Sequence, residues 1–159
     1  MLMRFLPTPL LLALQLLVAV ASLYEQAEAE PFPMNLHFER FSTEQGFSVG
    51  SVEVIFQDSR GYMWFGGPDG LTQYDGYNFI TYRNKPNDQL SLSSNSVWDI
   101  FEDHQGALWI TTDGGLNRFD RNKGNFARFK YDKNNPQSIC ADITRNILED
   151  TQGNLWIAT

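Results

Sequence analysis

Apolar residues in the middle of the chain come in short bursts, too short for helices and separated by turn formers. Residues 52–56 are β-branched and aromatic, Gln57-Asp58-Ser59-Arg60-Gly61 supplies a turn, and residues 62–66 form a second burst before Pro68-Asp69-Gly70 turns the chain again. Residues 71–74 and 78–82 follow as third and fourth bursts on either side of Asp75-Gly76. Runs of this length and composition, bounded by Gly, Pro, Asn and Asp, predict four antiparallel strands.

The chain then repeats itself. Asp58, Asp103 and Asp150 are spaced by 45 and then 47 residues, and Gly61, Gly106, Gly153 and Trp64, Trp109, Trp156 keep the same intervals. A period of about 40 to 50 residues holding four short strands is the signature of β-propeller blades. The predicted fold is all-β, with two whole four-stranded blades and part of a third, and a ring that is not closed. Within the motif, the aspartate can accept backbone N–H groups at the head of the turn, and the glycine three residues on can take a positive φ. The tryptophan reads as an apolar plate of about 200 Å² that one blade presses on the next.

These repeats divide the chain into blade 1 (residues 42–83), blade 2 (84–130) and a partial blade 3 (131–159). Residues 36–41 resemble the fourth-strand sequences around Phe79 and Phe126, so residues 30–41 are expected to supply the closing strand of a last blade. The chain accordingly reads as the N-terminal piece of a longer propeller, whose exposed blade faces make it a poor stable monomer. Residues 1–29 have the form of a cleaved signal peptide: one basic residue (Arg4), an apolar stretch with two prolines before it, and a small-x-small site at Ala27-Glu28-Ala29. The mature chain is thus expected to be exported.

Charge and cysteine usage narrow the partners. A net charge of -7 without a Lys/Arg cluster disfavours nucleic acid and anionic lipid. The single cysteine, Cys140, rules out an internal disulfide framework and reads as a small side chain approaching a buried strand. The two histidines, His37 and His104, lack further ligands at metal spacing, and no phosphate loop, dinucleotide fingerprint or nucleophile elbow occurs. Neither a catalytic constellation nor a cofactor or metal is implied. Carboxylate pairs such as Glu102-Asp103 recur with the turn and read as part of it.

Four-stranded blades leave loops on two opposite rims. One carries the motif turns at Asp58 and Asp103; the other carries Pro68-Asp69-Gly70, Asp113-Gly114-Gly115 and the long connections 83–95 and 130–142, which are expected to vary in length and sequence where the strands do not. Variable loops on a repeated scaffold are where binding residues usually sit. Asp69, Asp113 and Trp98 are therefore the candidate ligand-binding residues, Trp98 through stacking at a channel mouth or, alternatively, as core packing.

Asp-x-x-Gly-x-hydrophobic-Trp-aliphatic, followed by Asp-Gly-Leu or Gly-Gly-Leu and then aromatic-Asp, resembles the repeat of the two-component regulator propeller family over residues 38–159. Pro68 departs from it, standing where a Thr-like residue is usual. The resemblance implies the periplasmic sensor region of a protein anchored in the inner membrane, with further blades and a histidine kinase or diguanylate cyclase downstream, and a small molecule or oligosaccharide as ligand. A secreted propeller enzyme, such as a lyase or glycoside hydrolase, and an adhesion propeller are the alternatives.

Overall fold

Strands pair in sequence order, each with the next, because every connection within a blade is a turn of a few residues. The computed structural model describes residues 36–42, 44, 46, 47 and 50–159. The expected signal peptide and residues 30–35 of the expected closing strand lie outside these. Residues 40–159 form one compact unit.

Blade 1 is the antiparallel sheet of β1 (Val54–Gln57), β2 (Met63–Gly67), β3 (Gly70–Tyr74) and β4 (Phe79–Tyr82). Blade 2 repeats it with β5 (Val97–Glu102), β6 (Leu108–Thr112), β7 (Gly115–Asp120) and β8 (Asn125–Phe129). A third sheet of β9 (Ile147–Glu149) and β10 (Leu155–Ile157) repeats the first two strands of each blade. Successive blades meet through their first strands, β1 beside β5 and β5 beside β9, so these strands lie on the inner side of the arc. The strands predicted within the blades are all present, with β1 starting at Val54 rather than Val52.

Residues 36–41 form no strand. A ladder needs a partner for its backbone groups, and the described residues offer none. Phe41 packs instead on the rings of Tyr74 (5.3 Å between centroids) and Phe79 (5.5 Å), covering one face of blade 1 together with Phe47.

The core lies between blades 1 and 2. Trp64, fully buried, meets Phe119 edge-on at 5.2 Å, and Tyr82 packs against both Phe119 and Phe126. Leu71, Leu92, Val97, Ile100, Leu108 and Ile110 complete it. The plate role expected of the tryptophans is graded by what covers them: Trp64 faces a four-stranded neighbour and is 0% exposed, Trp109 faces two strands and is half-buried, and Trp156, with no further blade beside it among the described residues, is 65% exposed.

The connections 83–95 and 130–142 differ from the sequence expectation. They are the same loop in two successive blades. The backbone N–H of Asn84 donates to Asn95 and that of Lys85 to Ser91 Oγ; 47 residues later Tyr131 donates to Asp142 and Asp132 to Ser138 Oγ. The first does not project freely either. Leu92 is fully buried, Leu90 accepts a backbone hydrogen bond from Phe126, and Arg128 donates to the carbonyls of Asp88, Ser91 and Leu92. Side-chain acceptors at matched positions carry this likeness, which aligned strand residues do not reveal. Cys140 is exposed, contrary to expectation. Its counterpart Ser93 is held by Asn117 of β7, and the two-stranded third sheet presents no such residue.

Leu148 and Trp156 on the last sheet and Ile55 on the first are more than half exposed. Apolar blade faces of this kind exceed what a soluble monomer usually leaves open. The chain alone should therefore self-associate at micromolar concentration in light scattering. A monodisperse monomer with one sharp unfolding transition would contradict this.

Candidate functional site

The two rims are built differently. On the motif rim, each aspartate organises its turn with both carboxylate oxygens. Asp58 Oδ1 accepts the backbone N–H groups of Arg60 and Tyr62 at 3.0 Å each, while Oδ2 accepts the indole N–H of Trp64 at 2.9 Å. Asp103 does the same with Gln105, Ala107 and Trp109, and Asp150 with Gln152, Asn154 and Trp156. Gly61, Gly106 and Gly153 close the turns at φ of 88°, 80° and 84°, a region that costs other residues strain. Asp-x-x-Gly and the tryptophan are thus one hydrogen-bonded unit. The turn was legible in the sequence; the bond from indole to carboxylate was not.

A second device on this rim joins neighbouring blades. Glu102, the last residue of β5, accepts Ser59 N–H at 2.6 Å and Ser59 Oγ at 2.8 Å from the preceding blade. Glu149 repeats this one blade later, accepting the backbone N–H of His104 at 2.8 Å and pairing with its ring Nδ1. Arg121 crosses the first junction, pairing with Asp58 and, at 2.9 Å, with Glu102. Burial opposes ionisation of Asp58, yet Arg121, Trp64 and the Tyr62 N–H outweigh it and hold its carboxyl below the usual range. Hydrogen bonding and charge from Glu149 raise the His104 pKa.

The opposite rim holds the three sequence-predicted ligand residues, and the structure brings two of them together. Trp98 is skipped by the ladder between β5 and β6, where Val97 pairs with Thr112 and Asp99 with Thr111. This bulge re-aims the side chain. Its indole N–H donates to Asp113 Oδ1 at 2.9 Å. The guanidinium of Arg145, at the threshold of β9, stacks on the indole with Cζ 3.9 Å from the centroid and Nη1 3.5 Å from Asp113. Asp69 stands apart and is not the counterpart of Asp113. The pairs Gly67 with Gly70 and Thr112 with Gly115 align Pro68 with Asp113 and Asp69 with Gly114. Asp69 accepts the Gly50 N–H at 3.0 Å and so tethers the chain before β1. Arg145 was missed in the sequence, where it looks like an ordinary charge ahead of a strand; the 47-residue interval that places it opposite Trp98 was the available signal.

Residues 46–69, 91–114 and 137–159 match the model of the two component regulator propeller. The chain is built from two component regulator propeller repeats. It is similar to the extracellular domain of the hybrid two component system BT3049 of B. thetaiotaomicron, at 31% identity and a TM-score of 0.69, over 76% of this chain and 17% of that one. The extracellular domain of the one component system BT4673 of the same organism matches at 33% identity and a TM-score of 0.59, over 74% of this chain and 16% of that one. Histidine kinase P4 of Formosa agariphila is 44% identical over 59 residues, 37% of this chain and 4% of that protein. This chain therefore spans a small fraction of the length of each relative.

Each matched propeller segment runs from the end of a long connection through the first two strands, and so contains a complete brace of aspartate and tryptophan. Removing the acceptor of a buried brace leaves several donors unpaired. Asp58→Ala also removes one of the two carboxylates that hold Arg121 and should cost about 3–5 kcal/mol. Asp150→Ala, whose tryptophan is exposed, should cost much less. Urea midpoints followed by tryptophan fluorescence check this ranking; equal losses would contradict it.

The clasp at His104 titrates where that at Ser59 cannot. Because its folded pKa is raised, the stability it contributes is fully present below about pH 6.5, the unperturbed histidine value, and is lost as pH rises through the elevated folded pKa. The His104 ring resonances should titrate with a midpoint above about 6.5 in the unaltered chain and fall back toward it in Glu149→Gln. An unchanged midpoint in the variant would exclude Glu149 as the cause.

Proposed function

We propose that this chain is a ligand-sensing propeller segment in the periplasmic, extracytoplasmic part of a membrane signal-transduction protein. The observation that carries the reading is the threefold family repeat on blades that superpose on extracellular domains of two component and one component systems. The segment binds and transmits rather than catalyses. Kinase or cyclase output belongs to other parts of the parent protein, joined to this one across the inner membrane, and the ligand is a small molecule or an oligosaccharide. The rim carrying Trp98, Asp113 and Asp69 is the binding rim, because the motif rim is taken up by braces and clasps that hold the blades.

A reporter fused to a promoter controlled by the parent protein tests this. Trp98→Ala and Asp113→Ala should lower the ligand-dependent response about tenfold with protein level unchanged, that is, by about 1.4 kcal/mol. Asp69→Ala should do less, since that side chain tethers backbone. Changes on the motif rim should act through protein level. A parent protein that signals equally with and without this segment would sink the sensing role, and an unaltered response in the Trp98 and Asp113 variants would move the site elsewhere.

A further inference from the structure

Resting on the ligand-sensing reading, we propose that the binding rim recognises a hydroxylated carboxylate, a sugar acid in chemical class, and that Arg145 is the residue that selects the carboxylate.

The argument starts from internal repetition. The same two intervals that align the motif aspartates align Glu53, Trp98 and Arg145. The backbone confirms the equivalence of the outer two: Glu53 N–H donates to Gly66 O and Arg145 N–H to Ala158 O, each across the first two strands of its own blade. On one side the repeated position keeps its character, Val52, Val97 and Thr144 all being β-branched, and the braces are unchanged from blade to blade. At this inner-rim position the side chain is instead an acid, an aromatic and a base in turn. Packing does not demand such a change, because Glu53 and Arg145 are exposed. Divergence at an exposed position of a repeated scaffold is what recognition of an asymmetric ligand needs.

The three side chains and their surroundings define what fits. The Arg145 guanidinium sits over Trp98 with its Cζ 3.9 Å from the ring centroid and its side chain 44% exposed, and the Asp113 carboxylate stands 3.5 Å from its Nη1. A partner that loose contributes little to an exposed pair. A planar guanidinium held in one orientation by stacking is arranged for bidentate contact with a carboxylate. Asp113 is fixed by the Trp98 indole through Oδ1, which leaves Oδ2 to accept a hydroxyl. Between blades 1 and 2, a cavity of about 150 Å³ is lined by Glu53, Gly67, Pro68, Ser96, Val97 and Trp98. Its carboxylate and hydroxyl serve ligand hydroxyls, and Pro68 beside Trp98 offers an apolar surface to the C–H face of a ring. A neutral polyol would leave Arg145 with Asp113 alone; a bare carboxylate would leave Glu53 and Ser96 unused.

The test uses the full chain, with D-glucuronate and D-galacturonate as probes and D-glucose and D-galactose as their neutral counterparts. Binding is followed by tryptophan fluorescence and by calorimetry. The uronates should bind at least tenfold more tightly than the neutral sugars. Arg145→Ala should remove that difference, bringing uronate affinity down to that of the neutral sugars. Arg145→Lys, which keeps the charge and loses the fork, should retain part of it. Because Arg145 is exposed, neither variant should shift the unfolding midpoint, and Trp98→Phe keeps a ring for stacking if Trp98→Ala fails to fold. Equal affinity for acid and neutral sugars, no binding of the uronates, or a preference that survives Arg145→Ala would each overturn the proposal. A parent protein that responds to a neutral ligand regardless of Arg145 overturns this proposal and leaves the sensing role standing; a parent protein whose signalling never depends on the segment removes the sensing role itself.

Discussion

Each blade depends on a hydrogen bond between an aspartate at the head of a turn and the indole of the tryptophan six residues later. A tryptophan that is to serve as an apolar plate must bury its N–H, and a buried donor without an acceptor costs more than a made bond contributes. The motif solves this within one hairpin. The carboxylate that satisfies the indole also satisfies two turn amides, so one side chain fixes the turn, the first two strands and the orientation of the plate. At the first junction it carries a further load, since Arg121 of blade 2 reaches back to Asp58 of blade 1.

Because the motif rim is occupied with holding blades, the proposed binding role falls to the other. Glu102 and Glu149 clasp the preceding blade's turn in the same way, although the residue they grasp changes from Ser59 to His104. Backbone N–H is the common element, which explains why the clasp tolerates the change. On the opposite rim the bulge at Trp98 breaks the regular ladder, and Trp98, Asp113 and Arg145 meet there from two blades. Regularity on one rim thus makes irregularity affordable on the other.

Within the blades, strand number, order and type were legible in the sequence because alternation and turn residues act locally, and a threefold repeat reinforces each local signal. The family was legible for the same reason. Less was visible where the determining contact lies far along the chain. Leu92 and Arg128 pin the connection 83–95 to β8 from 36 residues apart, and the likeness of that connection to 130–142 rests on single acceptors such as Ser91 and Ser138. Phe41 was read as part of a strand from its neighbours' composition, which cannot say whether a ladder partner exists. Of the candidate site, Trp98, Asp113 and Asp69 were named from rim and residue type, which cannot show that Asp69 is taken up by the Gly50 N–H, and Arg145 emerged once the blades were superposed.

The central claim is that the braces hold the fold while Trp98 serves the binding rim. Hydrogen exchange of the four tryptophan indole N–H groups, measured by NMR on the folded chain, tests it most directly. All four donate to a carboxylate, so bonding alone would protect them alike. The account predicts that Trp64 exchanges slowest, through global unfolding, that Trp109 follows, and that Trp98 and Trp156 exchange through local opening. A Trp98 indole as protected as that of Trp64 would place it in the core and contradict the division of the two rims.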